Sequence, residues 1–299
     1  MRIPMMKVGI IDVGSNTVRL LVAQRGPGGA LYALREERRQ VGLGETIERR
    51  GRITEGKLAE TARTARGYAK LARNAGCERL EVAVTAPGRQ SGNAGDLLRA
   101  LRDAVGVVPE VLSAEAEGRL AYVGAVSAAE DLRGMIAVCD VGGGSTEVAF
   151  GGSSREPDWV DSVDIGSLRL SSRFFPDGEG DERAIGAARD EVRRHLEHIG
   201  AAAPDAALAT GGSARALRKL IGWTLGAAEL NGAIGMLAGR SAAKISRKYG
   251  VEPRRARTLL AGAVILAEVQ ARLGVPFAVA RGGLREGLAA ELLAEPAAA

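Results

Sequence analysis

Three short turns in this sequence follow apolar runs and combine glycine with serine or threonine. They are Asp12-Val13-Gly14-Ser15-Asn16, Asp140-Val141-Gly142-Gly143-Gly144-Ser145-Thr146 and Thr210-Gly211-Gly212-Ser213. Glycine lets a backbone come close to a ligand, and successive N–H groups in such turns cradle phosphate oxygens. The third turn reads as opening a helix, whose dipole adds to anion binding. One such turn is weak evidence, because hairpin turns are also glycine-rich. Three together, two with Asp at the same offset, point to a phosphate site. Its candidate contacts are Asp12, Gly14, Ser15, Asn16, Gly142, Gly143, Gly144, Ser145, Thr146, Gly211, Gly212 and Ser213. A carboxylate beside a phosphate cradle is repulsive unless a cation lies between them. Mg²⁺, or another divalent cation, suits one or two carboxylates plus phosphate oxygens. Asp12 and Asp140 are its candidate ligands. Glu147 joins them, since a hairpin would double it back beside Asp140; a solvated edge-strand Glu is the plainer alternative.

These turns need strands to carry them. Lys7 to Ala23 reads as strand, turn, strand, and Met135 to Phe150 repeats that unit. The match of Asp12 with Asp140 and Gly14 with Gly142 marks an internal duplication at domain scale, unlike the short period of a solenoid. Between the units, Glu55 to Ala75 reads as an amphipathic helix capped by Thr54 and stopped by Gly76. Leu80 to Val84 reads as a buried strand and Asp96 to Val105 as a helix. Beyond the second unit come a helix over 182–199, a strand over 206–210, a helix over 211–220 and a long helix over 254–273. Alternating strands and helices in two similar halves predict two α/β domains with a cleft between them. The expected division is 1–125 and 126–299, with the last helix free to pack back on the first domain. A frayed tail is expected from Pro296.

Composition narrows the classes. The chain has 299 residues, 46% of them hydrophobic and 26% charged, which suits a globular protein and excludes general disorder. Aromatics are 3%, so the core is aliphatic and base-stacking platforms are not expected. A net charge of +5 suits an anionic small partner more than nucleic acid. Cys77 and Cys139 lie far apart and read as two buried thiols. No leader pattern or membrane-length apolar run is visible, so the reading is cytoplasmic with no membrane partner. His195 and His198 share a helix face but lack a metal constellation and read as a solvated basic face. Arg35 to Arg39 and Glu48 to Arg52 mix both signs and read as surface, or as the wall of a polyanion track. Trp159 and Trp223 are single and carry no pattern.

Taken in order, these segments resemble the exopolyphosphatase and guanosine pentaphosphate phosphohydrolase (Ppx/GppA) family. The Asp12 loop with Arg19-Leu20 behind it, Thr85 to Asn93, Leu112 to Gly124, and Asp140 to Glu147 carry the likeness. Gly166 to Leu170 with Arg173-Phe174, Ala209 to Ala214, and Gly283 to Gly287 continue it. The resemblance implies two ribonuclease-H-like domains of the actin/Hsp70/sugar-kinase type, and the length resembles the short, two-domain class. It also implies roles: Glu117 as general base, Asp140 and Glu147 as Mg²⁺-associated acids, and Arg89 as a phosphate contact. A homodimer is the assembly it implies. Four positions depart from the family pattern. Ala116 stands where a second Glu is usual, Gly42 where Arg is usual, and Arg257 and Arg281 where Asp is frequent.

The expected activity is therefore Mg²⁺-assisted release of terminal orthophosphate from inorganic polyphosphate, an exopolyphosphatase. Guanosine pentaphosphate is the alternative substrate, since both would share the catalytic centre. A phosphotransferase of the same fold is a second rival. A catalytically weak polyphosphate- or alarmone-binding regulator is the third, motivated by Ala116 and the two arginines. No P-loop lysine motif is present, which sets a Walker-type nucleotidase aside.

Overall fold

The computed structural model describes residues 6–26, 29–153, 156–200 and 203–294. The tail expected from Pro296 lies outside the described residues. Each half is built on a hairpin that turns at one of the first two glycine loops. β1 (Lys7–Val13) and β2 (Thr17–Arg25) pair antiparallel and set Asp12 opposite Arg19. β6 (Ile136–Val141) and β7 (Thr146–Gly151) do the same and set Asp140 opposite Glu147. Directly opposed residues project to one face of a sheet. Arg19 and Glu147 thus occupy equivalent places in the duplicated unit.

β3 (Leu31–Gln40) extends the first hairpin at its edge, while β4 (Arg79–Val84) and β5 (Glu110–Val111) add parallel on the other side. The sheet order is β3-β2-β1-β4-β5. The second sheet adds β8 (Trp159–Val163), β9 (Ala206–Thr210), β10 (Thr224–Leu225) and β11 (Phe277–Val279). Its order is β10-β11-β9-β6-β7-β8. From its far end, β8-β7-β6-β9-β11 repeats the order of the first sheet. Two mixed-sheet α/β units of ribonuclease-H type therefore make up the molecule, the actin/Hsp70/sugar-kinase arrangement.

The first half carries α1 (Leu43–Arg50), α2 (Glu55–Asn74), α3 (Ala86–Gln90), α4 (Ala94–Val105) and α5 (Ala114–Ser127). α2 lays Ala65, Ala69 and Ala72 against Ile11, Leu20 and Val22 of the first sheet. The second half carries α6 (Ser167–Phe174), α7 (Glu182–Leu196), α8 (Gly211–Ile221), α9 (Ala227–Leu237), α10 (Ala242–Tyr249), α11 (Pro253–Leu273) and α12 (Leu284–Ala294). α7 stops at Leu196, short of the expected Ile199, whose N–H instead closes a turn on the Leu196 carbonyl at 3.0 Å. α11 begins at Pro253 because the Glu252 carboxylate accepts from the N–H groups of Arg254 and Arg255 at 3.2 and 3.3 Å. α11 is buried almost all round and forms the centre of the second core. The core is aliphatic, as the composition requires. Cys139 is buried, but Cys77 is only half-buried, so the expectation of two buried thiols fails for Cys77.

α5 and α12 join the halves. Leu120 of α5 packs with Val8 and Ile10 of the first sheet and with Leu288 and Leu292 of α12. Tyr122, Ala125 and Val126 of α5 pack on Ile136, Val138 and Ala149 of the second. α12 lies against β1 and β2, on the first sheet. The two helices cross with their backbones in contact through Gly124, Gly283 and Gly287.

Candidate active site

The first two glycine loops face each other across the junction of the halves. A Cβ at Gly143 would lie 3.0 Å from both the Asn16 side chain and the Ser15 Cβ. Each loop is held from behind through its carbonyls. Val41 and Gly42 donate to the Asn16 carbonyl at 3.1 Å each, and Gly44 to that of Ser15 at 2.8 Å. Ser167 donates to the Gly142 carbonyl at 2.9 Å and Leu168 to that of Gly143 at 2.9 Å. The N–H groups of Ser15, Asn16, Gly143, Gly144 and Ser145 have no protein acceptor among the described residues. Loops that spend their carbonyls on the scaffold and leave their amides free are built to receive an anion.

The third turn sits beside them. Gly211 adopts φ +85°, a region that favours glycine, and a Cβ there would overlap the Asp140 carboxylate. The Thr210 hydroxyl accepts from the Gly211 N–H at 2.6 Å and caps α8, whose N-terminus faces the same space.

Together the three turns enclose a polar cavity of about 100 Å³. Asp12, Gly14, Ser15, Asn16, Glu117, Asp140, Gly142, Gly143, Gly144, Ser145, Gly211 and Gly212 all line it. Four candidates do not. Thr146 is buried and donates its hydroxyl to the Ile165 carbonyl at 2.6 Å. Ser213 turns inward, where its Oγ packs against Gly262 without a partner. Arg89 donates to the Leu112 carbonyl at 2.7 Å and pairs with Glu117 instead of facing the cavity. Glu147 is 3% exposed, accepts from the Ser162 hydroxyl at 3.0 Å and lies behind the wall. Burial first, then the charges of Glu117 and Asp140, push its carboxyl well above the ordinary range.

Four arginines complete the wall: Arg19, Arg215, Arg255 and Arg285. Burial, with Arg215 and Arg285 alongside, presses the Arg19 guanidinium down to about 9, so it stays charged at neutral pH. Its Nε is buried with no hydrogen-bond partner. Arg255 is likewise pressed to about 10 by burial and then by Arg38 and Arg215. Guanidiniums crowded in this way favour an anion between them. Arg19 was within reach of sequence reasoning, as the counterpart of Glu147 in the duplicated hairpin. Arg215 and Arg255 carried no such signal.

Asp12 and Asp140 line the same cavity, and burial raises both carboxyls while Arg19 and Arg215 oppose it. Asp12 also raises Asp140, and Glu286 raises both. Neither accepts a hydrogen bond from protein among the described residues, so their oxygens are available. No group of three or more His, Cys, Asp or Glu able to hold a metal occurs among the described residues. Two free carboxylates beside a phosphate cradle fit Mg²⁺, which keeps waters and shares phosphate oxygens.

Glu117 is placed by the first turn of α5, capped by Ser113, whose hydroxyl accepts from the Ala116 N–H at 3.0 Å. Burial raises its carboxyl to about 7, against the lowering effect of Arg89 and with help from Asp140 and Asp12. The acid is thus poised near neutrality. Arg89→Met should remove the opposing charge and move the acid limb of the kcat/KM pH profile upward by about one pH unit or more. An unmoved limb would place Arg89 outside that balance.

The four departures fall in different places. Ala116 packs toward the Val8 and Leu288 cluster, away from the cavity. Gly42 and Arg257 share a separate cavity of about 60 Å³ with Asn16, Arg49 and Arg254. Arg281 lines a cavity of about 380 Å³ at the mouth of the inner one.

This chain belongs to the Ppx/GppA phosphatase family, whose sequence profile matches residues 21–295. It is 30% identical over 300 residues to Exopolyphosphatase 1 of Mycobacterium tuberculosis, covering 95% of this chain and 87% of that protein. The crystal structure of the Aquifex aeolicus Ppx/GppA family member aligns with a TM-score of 0.83 at 30% identity, over 99% of this chain and 100% of that one. An exopolyphosphatase from Cytophaga hutchinsonii has the same fold, with a TM-score of 0.88 at 21% identity over 96% and 98% of the two chains. The protein is a phosphoanhydride hydrolase.

Proposed function

We propose that the chain is an exopolyphosphatase that releases terminal orthophosphate from inorganic polyphosphate, with Glu117 as general base. One observation carries the reading. A carboxylate held near pKa 7 lines a small cavity opposite two sets of unpaired amides. A base is most effective when its pKa lies near the working pH. The terminal phosphoryl group would sit on the amides of Ser15, Asn16 and Gly143 to Ser145. Water between it and Glu117 attacks phosphorus, its proton passes to the carboxylate, and the bond to the bridging oxygen breaks. Arg19, Arg215, Arg255 and Arg285 stabilise the charge left on the shortened chain. Mg²⁺ held by Asp12 and Asp140 would neutralise phosphoryl oxygens. The mycobacterial relatives named exopolyphosphatase support this substrate.

A second reading, a guanosine pentaphosphate 5′-phosphohydrolase, draws on one feature. A cavity of about 630 Å³ adjoins Arg281 and is lined in part by Leu31, Ala33, Ala128 and Ala129. That volume falls in the range of ligand pockets, ~300–1,000 Å³. No helix of the described residues is long and apolar enough to cross a membrane, and we read the enzyme as cytoplasmic.

The test is phosphate release with Mg²⁺ from long-chain polyphosphate and from guanosine pentaphosphate. Fast release from polyphosphate supports the first reading, and release from the nucleotide alone replaces it with the second. Chelation of divalent ions should cut turnover by about a hundredfold or more, the scale of losing one charge-stabilising group. Full activity in chelator would remove Mg²⁺ from the assignment.

A further inference from the structure

Two helices reach the first two glycine loops from behind, one from each half. α1 supplies the Gly44 N–H that donates to the Ser15 carbonyl at 2.8 Å. α6 supplies the N–H groups of Leu168 and Arg169, which donate to the Gly143 carbonyl at 2.9 and 3.2 Å. Each helix is thus tied to one set of free amides. The helices also meet each other. A Cβ at Gly44 would overlap the Leu168 side chain and lie 3.0 Å from the Ser15 Cβ. α1 and α6 therefore form a second junction of the halves, besides α5 and α12, directly behind the loops.

An ion pair crosses that junction. Glu48 lies one turn beyond Gly44 on the same face of α1. Its carboxylate accepts from the Arg169 Nε at 3.0 Å. The same guanidinium donates through Nη1 to the Asp164 carbonyl at 2.8 Å. Asp164 is tied back to the first half, since its carboxylate accepts from the Gln90 side chain at 3.0 Å. The Arg169 and Glu48 side chains are 29% and 25% exposed, so solvent screens them less than a pair on the open surface. Neither lines the inner cavity, so neither touches the reacting phosphoryl group.

To grip one phosphoryl group with amides of both loops, the loops must stand at one spacing. Where nothing presets that spacing, substrate must select it, and apparent affinity falls with the fraction of molecules already there. We propose that Arg169 and Glu48 are positioning residues: their ion pair fixes α1 against α6 and so presets the spacing of the two amide sets for the terminal phosphoryl group. The inference rests on the seat assigned to that group across the two loops, and it holds for polyphosphate and guanosine pentaphosphate alike.

The experiment measures KM and kcat for Arg169→Met, Glu48→Gln and the double variant. The substrate is long-chain polyphosphate, or guanosine pentaphosphate if the parent cleaves only that. Arg169→Met keeps the backbone N–H on the Gly143 carbonyl and removes the guanidinium alone. It should raise KM about three- to tenfold, the scale of one part-buried ion pair with its hydrogen bonds. Saturating substrate restores the spacing, so kcat should stay within about twofold of the parent. Glu48→Gln should also raise KM, whereas removing an acid near a polyanion would lower it by simple electrostatics. Adding Glu48→Gln to Arg169→Met should cost nothing further. Arg99→Met, which breaks the pair with Asp96 inside α4, should leave both constants unchanged. An unchanged KM in Arg169→Met, a lowered KM in Glu48→Gln, or additive effects of the two overturn the proposal. A lower kcat at the parent KM also overturns it, since a smaller folded fraction alone produces that result. A parent turnover that survives Glu117→Gln overturns the reading of the site instead.

Discussion

Glu117→Gln is expected to lower kcat by about 10²–10⁴-fold, the usual scale for losing a general base. Glutamine keeps the shape and an oxygen for Arg89 but cannot take a proton. The parent activity should rise with pH through about 7, since only the ionised carboxylate serves as base. The residual activity of the variant should lack that limb. Stability gives an independent check with a definite sign. The folded carboxyl titrates near 7 and the unfolded one near its ordinary 4.5, so between these values the folded state holds the extra proton. The parent protein therefore loses stability relative to Glu117→Gln as pH rises across that window. Thermal melts of both proteins at pH 5 and pH 8 read this directly. A difference that does not grow toward pH 8 would mean the carboxyl titrates as an ordinary acid and is no poised base.

The loops were legible because their chemistry is local. Glycine, serine and aspartate at fixed offsets after an apolar run specify a turn with free amides wherever the chain later goes. The duplication also forecast the pairing of Asp140 with Glu147, which the hairpin register reproduces. The site of Glu147 was not legible, since facing the same side as Asp140 did not place it on the cavity wall. Gly118 of α5 presses against its side chain, and α5 arrives from the other half. Ser213 shows the same limit: it follows the glycines in sequence, but the helix turns it toward Gly262. Arg254, Arg255 and Arg257 are alike in sequence, and only Arg255 reaches the inner cavity. β3 left little pattern, because most of its residues are exposed and its charges lie on an edge strand. The sequence signal there was mixed charge, and of the segment Arg35 to Arg39 the fold places Glu36, Glu37 and Arg38 on the cavity of about 380 Å³, so one cation and two acids face it.

The second large effect is structural and reaches the site through the helix crossing. Gly124→Ala should destabilise the protein by about 3 kcal/mol or more, the upper end for overpacking, because no flexible side chain can yield. A Cβ at Gly124 would overlap the Gly283 carbonyl oxygen and lie 2.7 Å from the Gly287 nitrogen. From the other helix, a Cβ at Gly287 would overlap the Leu120 carbonyl oxygen. Backbone meets backbone on both sides, so accommodation requires α5 and α12 to separate. Gly67→Ala is the control, since its Cβ would meet nothing within 4 Å on the exposed face of α2. There alanine should be neutral or stabilising by up to about 1 kcal/mol, from helix propensity alone. The crossing also couples to chemistry. α5 carries Glu117 one wall of the cavity away from Gly283, Arg285 and Glu286, which stand at the start of α12. Parting the helices would move the base away from the arginine that ties α12 to β2 through the Leu20 carbonyl at 3.3 Å. Gly124→Ala should therefore lose kcat at temperatures where the protein is still folded, while Gly67→Ala keeps it. A melt lowered by roughly 6–12 °C with full activity below the transition would show that the crossing supports the fold without setting the geometry of the site.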